Sequence, residues 1–380
     1  LKYRKFGSLE WEVSILGLGT QRLPCQKAFE AARLHASESI EIIRHAIDHG
    51  ANYLDLGYPH DLNRQERLLS TIHDALQDGY SQKIRTSVTL PSHLIHSSKD
   101  FDLYLDTQLA WLQMARTDFC LFGRLNRENW PILQAHGAVA WADQAMKDGR
   151  FDGIGISFHD HFQPLKTILA AYDRWALCQF QFSYMDVDHD PGASGIQYAA
   201  QKGLAVVVTE PLRCGRLAGK PPAEVARIWA EAGPLNRLAD WGLRFVWNYA
   251  EVAVVVCDLE SLYELAEAAR VADGVRQDSL TVQEEILIAR ARDAYRKRKR
   301  IPCNSCRPCM PCPEGIDVPR VFEIYNDAFV YDDAETARSI YRSELHQVER
   351  CTQCRYCEDR CVKKLPILEW LDEARRLLTN

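Results

Sequence analysis

Leu16-Gly-Leu-Gly-Thr-Gln-Arg-Leu-Pro24 is the stretch on which the fold turns. Two architectures compete for it. As Gly17-x-Gly19 it is half of a dinucleotide fingerprint, which would make the chain a doubly wound sheet. That fingerprint needs a third glycine and a helix opening behind it. The third glycine is missing, and Pro24 interrupts the region where the helix should open. As the end of a short apolar run, Ser14 to Gly19, it is instead the first strand of a longer series.

The series continues with apolar runs at Ala51–Asp55, Ile84–Leu90, Asp118–Phe122, Phe151–Phe158, Ala176–Phe182, Leu204–Thr209 and Val252–Cys257. Helical spacing recurs between them, at Glu38–His49, Gln65–Gln77, Phe101–Ala115 and Leu262–Ala272 and in a segment ending near Asp148. Eight β–α repeats over about 270 residues have the size and rhythm of a (β/α)8 barrel, the TIM-barrel form of the α/β class. Before it, Tyr3–Phe6 and Trp11–Val13, joined by Gly-Ser, predict a hairpin. The barrel domain is expected over residues 1–280 and a second domain over 281–380.

The second domain opens with a helix, Val282–Arg298, and then reads Cys303-Asn-Ser-Cys-Arg-Pro-Cys-Met-Pro-Cys312-Pro313. A second run is Cys351-Thr-Gln-Cys-Arg-Tyr-Cys-Glu-Asp-Arg-Cys361. Eight of thirteen cysteines, Cys303, Cys306, Cys309, Cys312, Cys351, Cys354, Cys357 and Cys361, therefore sit in two quartets. Thiolates three residues apart converge on one centre, and two quartets are the ligand complement of two [4Fe–4S] clusters. Zinc usually takes two CxxC pairs with a longer spacer, and disulfides suit small secreted domains. The second run has the bacterial ferredoxin spacing, and the first is one residue tighter but ends in Cys-Pro. As in those ferredoxins the expected pairing is crossed. Cys303, Cys306 and Cys309 would join Cys361, and Cys351, Cys354 and Cys357 would join Cys312. The tighter run leaves the choice between Cys309 and Cys312 open. Helical patterns at Val318–Tyr325, Ala334–Glu349 and Ile367–Leu378 make this an α-helical ferredoxin-like domain.

The net charge of −6 gives no reason to expect nucleic-acid binding, and no apolar run approaches a membrane span. The polar N-terminus lacks the apolar core of a signal peptide. With the cysteines this predicts a reducing, oxygen-poor cytoplasm. One basic run, Arg296–Arg300, precedes the first cysteines. It is either the solvated end of a helix, a docking patch for an acidic redox partner protein, or charge that raises a cluster's potential.

Several stretches resemble the aldo-keto reductase family, and more narrowly its branch with a C-terminal [4Fe–4S] ferredoxin domain. They are Leu16–Pro24, Gly50-Ala-Asn-Tyr-Leu-Asp55, Ile154-Gly-Ile-Ser-Phe-His159, Cys178-Gln-Phe-Gln-Phe182, Val208-Thr-Glu-Pro-Leu-Arg-Cys-Gly-Arg-Leu217 and Cys309-Met-Pro-Cys-Pro-Glu-Gly-Ile-Asp-Val-Pro319. The resemblance implies carbonyl reduction with NADPH by an Asp, Tyr, Lys and His, in which the Lys, paired with Asp, lowers the Tyr pKa. Asp55 matches the aspartate. The tyrosine position falls on His60, with Tyr58 nearby. The lysine position falls on Thr89, before Leu90-Pro91, and the histidine position on Gly123, before Arg124. Three of the four roles have thus lost their residue type. Gln179, where the family holds the nicotinamide carboxamide, is kept. The cofactor's phosphate end would meet Asp258 and Glu260, two carboxylates that repel it.

Other strand-end residues carry chemistry of their own. His60 can donate protons near neutral pH with Asp55 orienting it, or be an idle solvated histidine. His159-Asp-His161 is a weak metal signal. Cys25, Cys214 and Cys257 form a thiol group at the rim or are small buried hydrophobes. Arg22, Arg124 and Arg213 suggest an anionic small-molecule substrate if they converge on the mouth. The first functional expectation is an iron–sulfur oxidoreductase passing electrons between two clusters and a substrate in the barrel mouth, with Asp55, His60 and Tyr58 as catalytic residues. One alternative is an NAD(P)H-dependent carbonyl reductase with His60 in the tyrosine role. Another is a non-catalytic electron carrier or assembly subunit. No nucleic-acid or membrane partner is expected.

Overall fold

A computed structural model describes residues 1–24, 32–58, 62–188, 191–233, 237–344 and 347–379. Among the described residues there are ten strands: β1 Tyr3–Lys5, β2 Glu12–Ser14, β3 Leu16–Gly19, β4 Tyr53–Asp55, β5 Arg85–Leu90, β6 Phe119–Leu125, β7 Gly153–Phe158, β8 Trp175–Gln181, β9 Ala205–Thr209 and β10 Val252–Asp258. β3 to β10 close into a barrel of eight parallel strands in sequence order, with β10 pairing β3 through Val255–Leu16 to Asp258–Gly19. The barrel is the fold the strand–helix rhythm predicts.

The strands read as apolar runs because both faces of a parallel strand are covered. Outward residues such as Leu54, Val88, Cys120, Ile156, Val208 and Val255 pack under the helices in one core. Inward residues Tyr53, Phe119, Leu121, Leu177, Val207 and Val254 fill the barrel. The β1–β2 hairpin supplies Phe6 to this second cluster, with its ring centroid 5.0 Å from Phe119 and 5.7 Å from Tyr53. The N-terminal end of the barrel is thereby plugged, which leaves the C-terminal strand ends as the mouth. Gly17 and Gly19 are packing positions and not a phosphate turn. A Cβ on Gly17 would stand 2.8 Å from Val254 Cγ2, and one on Gly19 would stand 2.3 Å from Asp258 Oδ1.

The chain divides into two compact units. Residues 1–218 and 237–281 make the barrel unit, and residues 219–236 and 282–380 make the second. The second unit thus takes in the helix Ala223–Ala230, inserted between β9 and β10, which packs on the helix Val282–Lys297. Glu231 and Arg290 pair across them at 2.5 Å. Further helices run over Val318–Val330, Ala334–Ser343, Tyr356–Arg360 and Ile367–Leu378. Their core joins Ile316, Val321, Phe322, Tyr325, Tyr341, Leu371 and Leu378. The single helix predicted over Ala334–Glu349 stops at Ser343. Past the stop, the Val348 amide donates to the Tyr341 hydroxyl at 2.8 Å.

No helix among the described residues is long and apolar enough to cross a membrane.

Candidate functional site

The second unit contains two cavities walled by cysteine. Cys303, Cys306, Cys309 and Cys361 line one, closed by Val318, Pro319, Phe322, Leu365 and Ile367. Cys312, Cys351, Cys354 and Cys357 line the other, with Ile316, Val318, Leu368 and Leu371. Each cavity therefore takes three cysteines from one run and one from the other. Val318 walls both, so the first turn of the helix Val318–Val330 separates them. Asp317 caps that turn, accepting from the Arg320 amide at 3.2 Å. Among the described residues no three His, Cys, Asp or Glu side chains stand as a single-ion site; the quartets line cavity walls.

The two runs share one backbone design. Ser305 and Arg307 have φ of 54° and 65°, and Gln353 and Arg355 have 57° and 61°. These are the second and fourth residues after Cys303 and after Cys351. Left-handed residues among right-handed ones turn successive N–H groups inward, which builds concavities suited to anionic centres, iron–sulfur sites included. The Ser305 amide donates to Cys303 Sγ and the Leu365 amide to Cys361 Sγ, both at 3.4 Å. Such bonds stabilise thiolate charge.

In the barrel unit, Asp55 closes β4 and is buried. Its Oδ1 accepts from Ser87 Oγ at 2.9 Å and its Oδ2 from Gln179 Nε2 at 3.0 Å. Burial pushes the Asp55 carboxyl above its ordinary range, and the bonds from Ser87, Gln179 and the Gly57 amide oppose that. Gln179 Oε1 is buried without a partner, and so is the Tyr58 hydroxyl. Burial beside Tyr104 pushes the Tyr58 phenol up to about 12. That is the wrong direction for a proton donor. Strand register puts Ser87 opposite Asp55, with Thr89 two residues further toward the mouth on the same face of β5. The space above Gly123 is already taken: a Cβ there would meet Thr89 Cγ2 at 2.5 Å and the Leu90 carbonyl at 2.8 Å.

The rim at β10 is acidic. Asp258 Oδ1 accepts from the Gln21 amide at 2.9 Å. Burial, with Glu210 nearby, pushes the Asp258 carboxyl up to about 7. Arg22 is held by Glu260 at 2.6 Å and Glu264 at 3.6 Å, and Arg213 by Asp186. Arg124 is exposed with φ 52°. The structure therefore does not gather the three arginines as free cations around the mouth. His159 Nε2 is 3.2 Å from Ser157 Oγ, and Asp160 between the two histidines is clasped by Arg127. Cys257 is buried, and burial raises its thiol far out of the reactive range. Cys214 donates its amide to Glu210 Oε2 at 2.5 Å. His60 and Cys25 lie outside the described residues.

Three participants escaped the sequence reading. Ser87 was legible: an inward Thr89 and period-two alternation put Ser87 inward too. The coupling of Asp258 to Glu210 was not, because the two close different strands. Nor were the left-handed residues between the cysteines, since none is glycine.

Residues 15–272 match the model of the aldo/keto reductase family. Comparison with curated proteins returns no match. Among solved structures, the fold is shared with the holo form of aldo-keto reductase AKR11C1 from Bacillus halodurans. That pair has 19% identity and a TM-score of 0.60 over 76% of this chain and 96% of the other. It is shared also with the thermostable aldo-keto reductase Tm1743 in complex with the inhibitor epalrestat, at 18% identity and a TM-score of 0.61 over 76% and 100%. The family model spans most of the chain and the barrel it describes is the one present, so this protein belongs to the aldo/keto reductase family.

Proposed function

We propose that the protein is an iron–sulfur oxidoreductase built on an aldo/keto reductase barrel. Cys303, Cys306, Cys309 and Cys361 would hold one [4Fe–4S] cluster, and Cys312, Cys351, Cys354 and Cys357 the other. The observation that carries this reading is that each cavity is lined by one complete crossed quartet. The inward-turned loops and the two N–H···S bonds add to it. Bound clusters would supply one-electron chemistry to a small molecule in the barrel mouth. The chain's own part there is to hold and orient. Gln179 fixes Asp55, Ser87 fixes its other oxygen, and the buried Tyr58 hydroxyl and Gln179 Oε1 remain for a ligand.

The aldo/keto tetrad is lost on this reading: Thr89 and Gly123 stand at the lysine and histidine positions, and no cation among the described residues pairs with Asp55. A nicotinamide-dependent reductase is the second reading. Gln179 Oε1 favours it, since it can accept from a carboxamide. The phosphate end disfavours it, because Asp258, Glu210 and Glu260 crowd the rim and Arg22 is already paired.

The test is metal analysis and EPR on protein purified without air, followed by NADPH titration. About eight irons per chain with cubane signals is the expected result. One or two zincs would overturn the proposal. Bleaching of the cluster absorbance by NADPH would transfer it to the nicotinamide reading.

A further inference from the structure

The charge of this chain is unevenly placed. Residues 296–314 and 350–364, the two cysteine runs with their flanks, carry eleven Lys or Arg and three Asp or Glu, a formal +8 in a chain of −6. Some of that charge serves the cavity itself. Lys299 Nζ donates to the Cys303 carbonyl at 2.6 Å, and Lys363 Nζ to the Pro302 carbonyl at 2.9 Å. Lys363 also walls the cavity lined by Cys303, Cys306, Cys309 and Cys361. Others are paired, Arg307 with Asp317 and Arg298 with Asp332, while Lys297, Arg300 and Lys364 are exposed. Lys364 reaches the Asp359 carbonyl at 3.3 Å, and Arg300 lies over the Phe329 ring at 5.0 Å.

An apolar residue stands among these cations. Val362, bonded directly to Cys361, is 71% exposed, the most exposed large apolar side chain among the described residues. A dry apolar contact inside a charged rim is the anatomy of a transient protein interface. Complementary charge steers such encounters and sets their salt dependence.

We propose that Val362, Lys363, Lys364 and Lys299 form a docking surface for a small acidic electron-carrier protein at the edge of the first cavity. Carboxylates of the carrier pair with Lys364 and its neighbours, and Val362 meets an apolar spot beside the carrier's redox centre. One electron then passes between carrier and protein, the donor being oxidised as the acceptor is reduced. This proposal rests on the iron–sulfur reading above.

The test is binding of an acidic bacterial ferredoxin to the holoprotein, measured by calorimetry under anaerobic conditions, with basic cytochrome c as the opposite probe. Ferredoxin affinity should fall roughly tenfold or more between low and physiological salt, and cytochrome c, titrated separately, should be insensitive to substitution of Lys364. Lys364→Glu should weaken ferredoxin binding several-fold at low salt and leave iron content and dithionite reduction unchanged. Val362→Ser should weaken it a few-fold. Carbodiimide cross-links should map to lysines of this patch. Ferredoxin binding that is absent, or indifferent to both salt and Lys364→Glu, overturns the docking surface while iron content stands. Loss of iron from the wild-type chain overturns the cluster reading instead.

Discussion

In the barrel mouth the Asp55 carboxylate is already surrounded by Ser87, Gln179 and the Gly57 amide. In the second unit the cysteines face cavities, and Cys303 and Cys361 each accept a backbone N–H. The mouth is built on rigid strand ends whose inward neighbours are set by register. The cavities are built on loops whose closure depends on segments about fifty residues apart in sequence. What the contrast teaches is where each unit draws its order from. The mouth fixes the Asp55 carboxylate within the protein and leaves Gln179 Oε1 and the Tyr58 hydroxyl without a partner, so substitution there changes protonation and fit. The second unit holds its donors together through a small core of helices, so a bound centre that joins both runs would contribute to folding itself.

The sharpest way to break that contrast is to remove cysteines in pairs. Cys312→Ser and Cys354→Ser line the same cavity, so the double variant should lose no more iron than either single, about half of the total. Cys312→Ser with Cys306→Ser should lose nearly all. Iron content and thermal unfolding of each variant check this; uncrossed sites would make Cys312→Ser combine with Cys306→Ser without further loss.

A smaller effect is expected in the barrel. Gly123→Ala forces a methyl against Thr89 Cγ2 and the Leu90 carbonyl, one a side chain and the other backbone. Overpacking of this kind costs about 1–3 kcal/mol. Denaturant unfolding should show it, and the iron content should not move. Unchanged stability would mean the β5–β6 strand ends yield easily and the mouth is less rigid than described.

The smallest effect concerns Asp258, and pH resolves it. Its folded pKa of about 7 lies above the ordinary carboxylate value, so the folded chain holds a proton the unfolded chain releases. Stability from this group is full in acid, falls as pH rises through the window from about 4 to about 7, and stays low above it. Asp258→Asn keeps an oxygen for the Gln21 amide and removes the ionisation. It should raise the melting temperature over wild type at pH 8 and do so less at pH 5.5. An equal gain at both values would show that burial beside Glu210 does not control this carboxyl.

Legibility followed distance along the chain. The strands could be read because parallel strands buried on both faces are nearly continuous apolar runs, as Val252–Cys257 shows. The final helix, Ile367–Leu378, could be read because its apolar residues recur at helical spacing. The helix Ala223–Ala230 could not be assigned to the second unit, because its partner helix begins more than fifty residues later. Nor could the stop after Ser343, which serves the contact between Val348 and Tyr341.

By itself the sequence determined the barrel and the two cysteine quartets, since each is local pattern or residue type. Only the tertiary structure decided between Cys309 and Cys312 as the cysteine that crosses over, that Gly17 and Gly19 make room for Val254 and the Asp258 carboxylate, and that Arg22 and Arg213 are already paired. These are meetings between segments far apart in the chain, and a linear pattern fixes what a residue can do without fixing what it meets.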